Sequence, residues 1–263
     1  MTQLTTIKEI VEKLKMAEEA EPWMEELAQD SRAGVKNALA RWQRQYDKRK
    51  IILQEHMAKI AFDRSFAPFE GALVAGVDEA GRGPLAGPVV TAAVILPQEV
   101  PELVGLDDSK NISKTERQRL AEIIRNVAIA YSTHIQSARR IDELNIYAAT
   151  RESMEQAVKT LETKPAFVIV DAMSLNVDCP TESVIKGDAQ SLAVAAASII
   201  AKTTRDAMMD DLHNDFPVYH FGKNAGYGTA EHVEALQEHG PCEHHRTSFE
   251  PVKSMIAEGR SGR

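Results

Sequence analysis

Four carboxylates stand where charge is costly. Asp78 and Glu79 follow a short apolar run, Leu73 to Val77, and open the stretch Asp78-Glu79-Ala80-Gly81-Arg82-Gly83-Pro84-Leu85-Ala86-Gly87-Pro88, which turns from strand-like to Gly- and Pro-rich. Asp171 ends Phe167-Val168-Ile169-Val170, a run that otherwise reads as a buried strand. Asp188, in Lys186-Gly187-Asp188, stands just ahead of an Ala-rich segment, where a carboxylate can also serve as a helix cap. Successive strand residues face opposite sides, so Asp78 and Glu79 share a site only if the chain bends at once, a freedom Gly81 and Gly83 supply. Gathered carboxylates raise one another's pKa unless a cation compensates. Four acids, three of them at strand ends, are therefore most simply read as ligands of a divalent metal. Oxygen-only ligation favours Mg²⁺ or Mn²⁺ over zinc. Unshielded backbone N–H groups beside Arg82 suit a sugar–phosphate backbone, and Tyr227, between Gly226 and Gly228, fits an exposed ring better than a core one.

The elements that must carry these acids follow from periodicity. Leu73 to Val77, Val89 to Leu96 and the alternating Ala128 to Ile135 predict three neighbouring strands, and Ala166 to Val170 a buried fourth. Ser113 and Glu116 have capping-box spacing for a helix through about Asn126, and Ile141 through Leu161 is helical in period. A long helix starts near Gln190, and another covers about Ala230 to His239. Strands followed by alternating helices and strands predict an α/β domain with a mixed sheet flanked by helices. Ahead of it, the spacing of Ile7, Ile10, Val11 and Leu14, and of Val35, Leu39, Trp42 and Tyr46, predicts a small all-α extension. The boundary falls near residue 70, giving a helical extension over 1–70 and a catalytic domain with a C-terminal helical segment over 71–263.

The ordered motifs resemble type 2 ribonuclease H, bacterial ribonuclease HII. They are Asp78-Glu79-Ala80-Gly81-Arg82-Gly83-Pro84 with Gly87-Pro88, Asp108-Ser109-Lys110, the strand ending at Asp171, Lys186-Gly187-Asp188, Ala195 to Lys202, Gly226-Tyr227-Gly228-Thr229 and His245-Arg246-Thr247-Ser248-Phe249. The resemblance runs from about 71 to 254. Arg82 separates this chain from the sister ribonuclease HIII, which usually has Lys there and a different N-terminal domain. Ala225 stands where many relatives have Lys.

The resemblance implies a ribonuclease H-like fold and a metal-dependent endoribonuclease. Its substrates would be the RNA strand of RNA–DNA hybrids and single ribonucleotides in duplex DNA, cut on the 5′ side to leave 3′-hydroxyl and 5′-phosphate ends. Asp78, Glu79, Asp171 and Asp188 match the family's four active-site acids. Gly81, Arg82 and Gly83 match the loop that recognises the 2′-hydroxyl, and Tyr227 the aromatic that stacks on the following deoxynucleotide sugar. Chemistry agrees: two ions about 3.5–4 Å apart, bridged by Asp78, would activate water and stabilise the leaving 3′-oxygen without a protein nucleophile. The 2′-hydroxyl is what distinguishes RNA from DNA at a given site, so a selective enzyme must contact it. Lys110, Lys186 and Lys202 are candidate phosphate partners, or simply solvated lysines.

Composition limits the alternatives. The 263 residues carry a net charge of −8, all of it in 71–263 because residues 1–70 are neutral, which argues against indiscriminate nucleic-acid binding. Within the extension, Arg32 to Lys50 holds seven basic residues and one acid, interleaved with Trp42 and Tyr46. Arg41, Arg44, Lys48 and Lys50 there form a candidate duplex contact, against the plainer picture of a solvated helix face with its aromatics packed inward. For this segment the family resemblance is thin. No apolar run approaches the roughly 20 residues that cross a bilayer, and no export signal is visible, so a cytoplasmic monomer is expected. Cys179 and Cys242 read as free thiols. Cys242 with His244 and His245 lacks a second cysteine pair for zinc, and His220, His232, His244 and His245 read as surface bystanders. Two rival functions remain: a catalytically silent nucleic-acid-binding protein of the same fold, and a metal-dependent phosphatase or nuclease of another substrate class.

Overall fold

The computed structural model describes residues 6–261. Two compact units meet in sequence between Met57 and Ala58. The first contains α1 (Ile7–Met16), α2 (Trp23–Ala28) and most of α3 (Ala33–Ser65). Thr6 and Glu9 start α1 with a reciprocal capping box. Ile10, Leu14, Met24, Leu27, Val35 and Trp42 form this unit's core. Trp42 donates its indole N–H to the Ala17 carbonyl at 3.0 Å and stacks on Tyr46, whose hydroxyl donates to Glu19 at 2.8 Å. These aromatics therefore pack onto the helical unit itself. Arg41, Arg44, Lys48 and Lys50 are exposed. At 100° per residue Arg41, Arg44 and Lys48 share a stripe, while Lys50 falls about 180° from Arg41, beside Glu18, Glu19 and Tyr46.

The second unit is built on a five-stranded sheet of order β3-β2-β1-β4-β5: β1 (Val74–Ala80), β2 (Val89–Ile95), β3 (Ala130–Gln136), β4 (Phe167–Asp171) and β5 (Thr181–Val184). The β1–β2 and β2–β3 pairs are antiparallel, and β1–β4 and β4–β5 parallel, so the sheet is mixed as expected. Periodicity did not reveal β5, because Thr181-Glu182-Ser183-Val184 is a short, half-exposed edge strand with no apolar run.

Helices cover both faces, which is why all seven residues of β2 are buried. On one face α8 (Leu192–Asp215) packs Leu192, Ala195, Ala196 and Ile199 against Ala80, Ala92 and Val94. On the other, α6 (Ile146–Lys159) sets Met154 and Ala157 against Ala75, Val77, Val168 and Val170. The α8 contact is backbone to backbone at Gly76, where an added Cβ would stand 2.2 Å from Ala193 C and Val194 N. Only glycine admits that approach.

The single helix expected over Ile141–Leu161 is two, α5 (Ala138–Leu144) and α6. Asn145, at φ 73°, ends the first and caps the second by accepting from Ala148 N at 3.0 Å; a break of one residue does not disturb an apolar period. Between β2 and β3 lies α4 (Lys114–Val127), capped by Ser113. The turn α7 (Gly187–Gln190) precedes α8, and α9 (Phe221–Asn224), α10 (Ala230–His239) and α11 (Val252–Ser261) complete the unit. Among the described residues no helix is long and apolar enough to cross a membrane.

Candidate active site

The β1–β4 ladder ends at the Val77–Val170 pair, so Asp78 and Asp171 are the next residues on adjacent parallel strands. This is the carboxyl edge of the sheet, where α/β folds place ligands. β1 itself continues to Ala80, with Asp78 opposite Ala92 and Glu79 opposite Thr91. The bend anticipated immediately after the acids thus waits until Gly81, because pairing with β2 outlasts pairing with β4. Asp188 does not cap the Ala-rich helix. It sits in α7, while Ser191 caps α8 by accepting from Val194 N at 3.0 Å. The Gly187 N–H donates to Asp171 Oδ1 at 2.8 Å, tying that turn, and Asp188 with it, to the end of β4.

Burial raises the pKa of Asp78 well above the carboxylate range, and the charges of Glu79 and Asp171 add to it, against the Glu79 N–H at 2.7 Å and Ser198. Burial likewise raises Glu79, helped by Asp171 and opposed by Arg82, whose Nη1 lies 3.4 Å from Oε1. Asp188 is raised by burial, then by Asp108 and Asp171. Burial works against the Lys110 ammonium, but the fields of Asp108, Asp188, Asp78 and Asp171 outweigh it and raise Lys110. The four sequence-predicted acids are therefore linked through Asp171, which acts on Asp78, Glu79 and Asp188, and Asp108, named earlier only as part of a motif, joins them.

Among the described residues no three His, Cys, Asp or Glu side chains close on one point at ligating distance. Asp78 is turned to the Glu79 amide and Asp171 to that of Gly187. The donors nevertheless fit a hard divalent cation: all are carboxylates, and Glu79 Oε2 is buried with no hydrogen-bond partner among the described residues.

Of the lysines, Lys110 and Lys186 are exposed, and Lys186 begins the α7 turn in the left-handed region at φ 56°. Lys202 lies one helical turn beyond Ser198 and pairs with Asp206, which also faces Arg117 at 3.7 Å. Ser198 donates to Ser109 Oγ at 3.0 Å, linking α8 to the Asp108-Ser109-Lys110 segment.

The Gly81–Gly83 loop is held from behind by two buried arginines. Arg246 donates from Nη2 to Gly81 O at 2.6 Å, from Nη1 to Arg82 O at 2.8 Å, and from Nε and Nη2 to Gly87 O at 3.1 and 3.0 Å. Arg205 donates to the carbonyls of Pro88, Ala225 and Ala86 at 2.9, 2.9 and 3.1 Å. Burial pulls Arg205 down to about 10, and burial with the neighbouring Arg205 charge pulls Arg246 down to about 9, so both stay charged at neutral pH. Gly81 is irreplaceable here: φ is +97° and a Cβ would lie 2.0 Å from Arg205 Nε. Tyr227 is 48% exposed, and its ring lies 3.7 Å from where a Cβ on Gly83 would stand, so loop and aromatic form one surface.

Sequence reasoning missed the arginines' role, although Arg246 lies in a quoted motif and Arg205 is seven residues after Ser198 on the same helix. It also misplaced two histidines. His232 and His245 are buried, at 0% and 2% exposure, and hydrogen-bonded to each other, whereas His220 is exposed and His244 half-buried. Imidazoles carry no hydrophobic period that would reveal burial. Cys179 and Cys242 are free thiols, as expected.

Comparison with known proteins bears directly on this geometry. The family model "Ribonuclease HII" matches residues 75–252, the whole sheet with its acids. The chain belongs to the ribonuclease HII family. It is therefore a ribonuclease H, a phosphodiester hydrolase. A second model, "Ribonuclease HII N-terminal domain", matches residues 6–67, so the extension, for which the motifs offered little, also has a family of its own. The chain is 44% identical to the ribonuclease HII of Halalkalibacterium halodurans, over 98% of each chain. It is 42% identical to that of Geobacillus sp. (strain WCH70), over 98% of this chain and 93% of the relative. The crystal structure of ribonuclease H2 from Pyrococcus horikoshii superposes with a TM-score of 0.62 at 26% identity, covering 72% of this chain and 99% of that one.

Proposed function

We propose that this ribonuclease HII hydrolyses the RNA strand of RNA–DNA hybrids and incises duplex DNA just 5′ of an embedded ribonucleotide, leaving 3′-hydroxyl and 5′-phosphate ends. Such a cut begins the removal of ribonucleotides from DNA. One observation carries the reading: the acid cluster is continuous with a glycine loop and an exposed aromatic, joined through the Arg82–Glu79 contact and the Tyr227–Gly83 approach.

Asp78, Glu79, Asp171 and Asp188 would hold Mg²⁺ or Mn²⁺, which when bound supplies an activated water and charge stabilisation for the leaving oxygen. The chain's own groups do the rest. The glycines at 81 and 83 let backbone atoms approach the 2′-hydroxyl, and Arg82, partly exposed, faces the same way as the acids it offsets. Tyr227 offers its open face to the next sugar. Lys110 and Lys186 counter phosphate charge at the rim, whereas Lys202 must first release Asp206. In the helical unit, the stripe of Arg41, Arg44 and Lys48 adds duplex affinity. Replacing all three with Ala reduces the salt slope of binding by about 2–3 if each meets a phosphate.

The deciding experiment is cleavage of a DNA duplex containing one ribonucleotide, beside an all-DNA duplex, with Mg²⁺, Mn²⁺ or chelator, for wild type and Asp78→Asn. Metal-dependent incision 5′ of the ribonucleotide, lost in the variant, is the expected result. Duplex binding without incision would favour the silent binding protein. Cutting of the all-DNA duplex would favour a nuclease of another substrate class.

A further inference from the structure

Behind Tyr227 lies a chain of hydrogen bonds that admits one proton arrangement. The Cys242 backbone N–H donates to His245 Nδ1 at 3.0 Å, so that nitrogen carries a lone pair and the His245 proton sits on Nε2. His245 Nε2 faces His232 Nε2 at 3.0 Å, which must then accept. The remaining His232 proton, on Nδ1, points to the Tyr227 carbonyl oxygen at 2.8 Å. No other assignment of the two neutral rings satisfies all three contacts.

The rings have no room to turn. Tyr219 stands 4.7 Å from His245, and Phe221 5.5 Å from His232, centroid to centroid, and both are themselves buried. Burial pulls the His245 pKa down to about 4 and lowers His232, so both rings are neutral. The Tyr227 backbone is also gripped on either side: its N–H donates to Asn224 O at 2.9 Å, and its carbonyl accepts from Thr229 N at 2.8 Å. An exposed aromatic on a backbone this constrained meets its ligand with little backbone left to order.

We propose that His232, oriented by His245, is a positioning residue for Tyr227 and so for recognition of the ribonucleotide–deoxynucleotide junction. The proposal rests on Tyr227 contacting substrate, as set out above. A device acting through Tyr227 affects single-ribonucleotide substrates, where a deoxynucleotide follows the ribonucleotide, more than interior cuts in long RNA tracts.

The test measures kcat/KM of the full chain on a single-ribonucleotide duplex and on an RNA–DNA hybrid, for His232→Leu, His232→Asn, Tyr227→Ala and the double variant His232→Leu/Tyr227→Ala. His232→Leu should lower single-ribonucleotide incision about tenfold, the scale of one lost hydrogen bond, with hybrid cleavage changing less than threefold. His232→Asn, which keeps a donor near the Nδ1 position, should restore most of the loss. In the Tyr227→Ala background His232→Leu should add nothing, since both act through one contact. Equal losses on the two substrates, or additive effects in the double variant, would overturn the proposal. A Tyr227→Ala variant that leaves the substrate ratio unchanged would instead remove the functional reading beneath it. Should His232→Leu not fold, nitrogen-15 NMR of the wild-type histidines decides the matter: a proton on Nε2 of His232 rather than Nδ1 would refute the relay.

Discussion

The acid cluster and the loop platform beside it both bury charge, and they do so in opposite ways. Around Arg205 and Arg246 every guanidinium nitrogen donates to a backbone carbonyl, and the positive charges tie residues 81–88 to Ala225. Around Asp78, Glu79 and Asp188 the charges are alike, the pKa values are pushed up, and Glu79 Oε2 bonds to nothing among the described residues. Satisfied burial makes rigid structure, whereas unsatisfied burial stores a cost that a proton or a ligand of opposite charge relieves. The loop is thus finished on folding, and the cluster is left with charge still to be offset.

The sharpest way to break this contrast is Asp78→Asn. Catalysis should fall on the order of 10³-fold, while the chelator-treated variant should melt higher than wild type, by about 1–2 kcal/mol, since one repelling charge is gone. A variant both inactive and less stable would mean that Asp78 is a structural acid. Next in size is Arg246→Met, which strands the carbonyls of Gly81, Arg82 and Gly87 and should cost about 3–5 kcal/mol in urea unfolding. A loss below about 1 kcal/mol would show the loop to be held by other means.

Asp63, near the end of α3, asks whether a lone unsatisfied acid behaves as the cluster does. Its Oδ2 accepts from Ala193 N at 3.0 Å, Oδ1 has no partner among the described residues, and burial raises its pKa to about 6 against Ser191, the backbone of Ala193 and Leu192, and Lys59. The folded value exceeds the unfolded 3.8, so the folded chain holds the extra proton between them. The contribution of Asp63 to stability is therefore greatest below about pH 4 and falls as pH rises through about 6. Asp63→Asn should gain roughly 1–2 kcal/mol over wild type above that range and nothing below it, as read by thermal melts at both ends. The smallest effect is proton release: Mg²⁺ or Mn²⁺ binding should expel a fraction of a proton at neutral pH, more at lower pH. Calorimetry in buffers of different ionisation enthalpy would detect it. Buffer-independent heats would show the acids already fully ionised.

The sequence carried the acids plainly, because a carboxylate after an apolar run is an anomaly that composition exposes. It carried the sheet for the same reason, except at β5, where the strand has no apolar run to betray it. Hidden altogether was whatever depends on long-range hydrogen bonding. Arg205 and Arg246 reach carbonyls more than a hundred residues away in most of their contacts, and the His232–His245 pair joins a helix to a tail. Asn145 shows the local version of the limit, since its left-handed backbone splits a helix while the apolar spacing runs on.

The Gly76 contact has a consequence for how such a chain can change. Because β1 touches α8 through bare backbone at Ala193 and Val194, the gap between strand and helix at Gly76 is gauged by main-chain atoms. Asp78 lies two residues beyond that contact, and Asp188 five residues before Ala193. Valines, isoleucines and leucines elsewhere in the interior can therefore be exchanged over generations while the carboxylates keep their spacing, and the position that sets this contact carries no side chain at all.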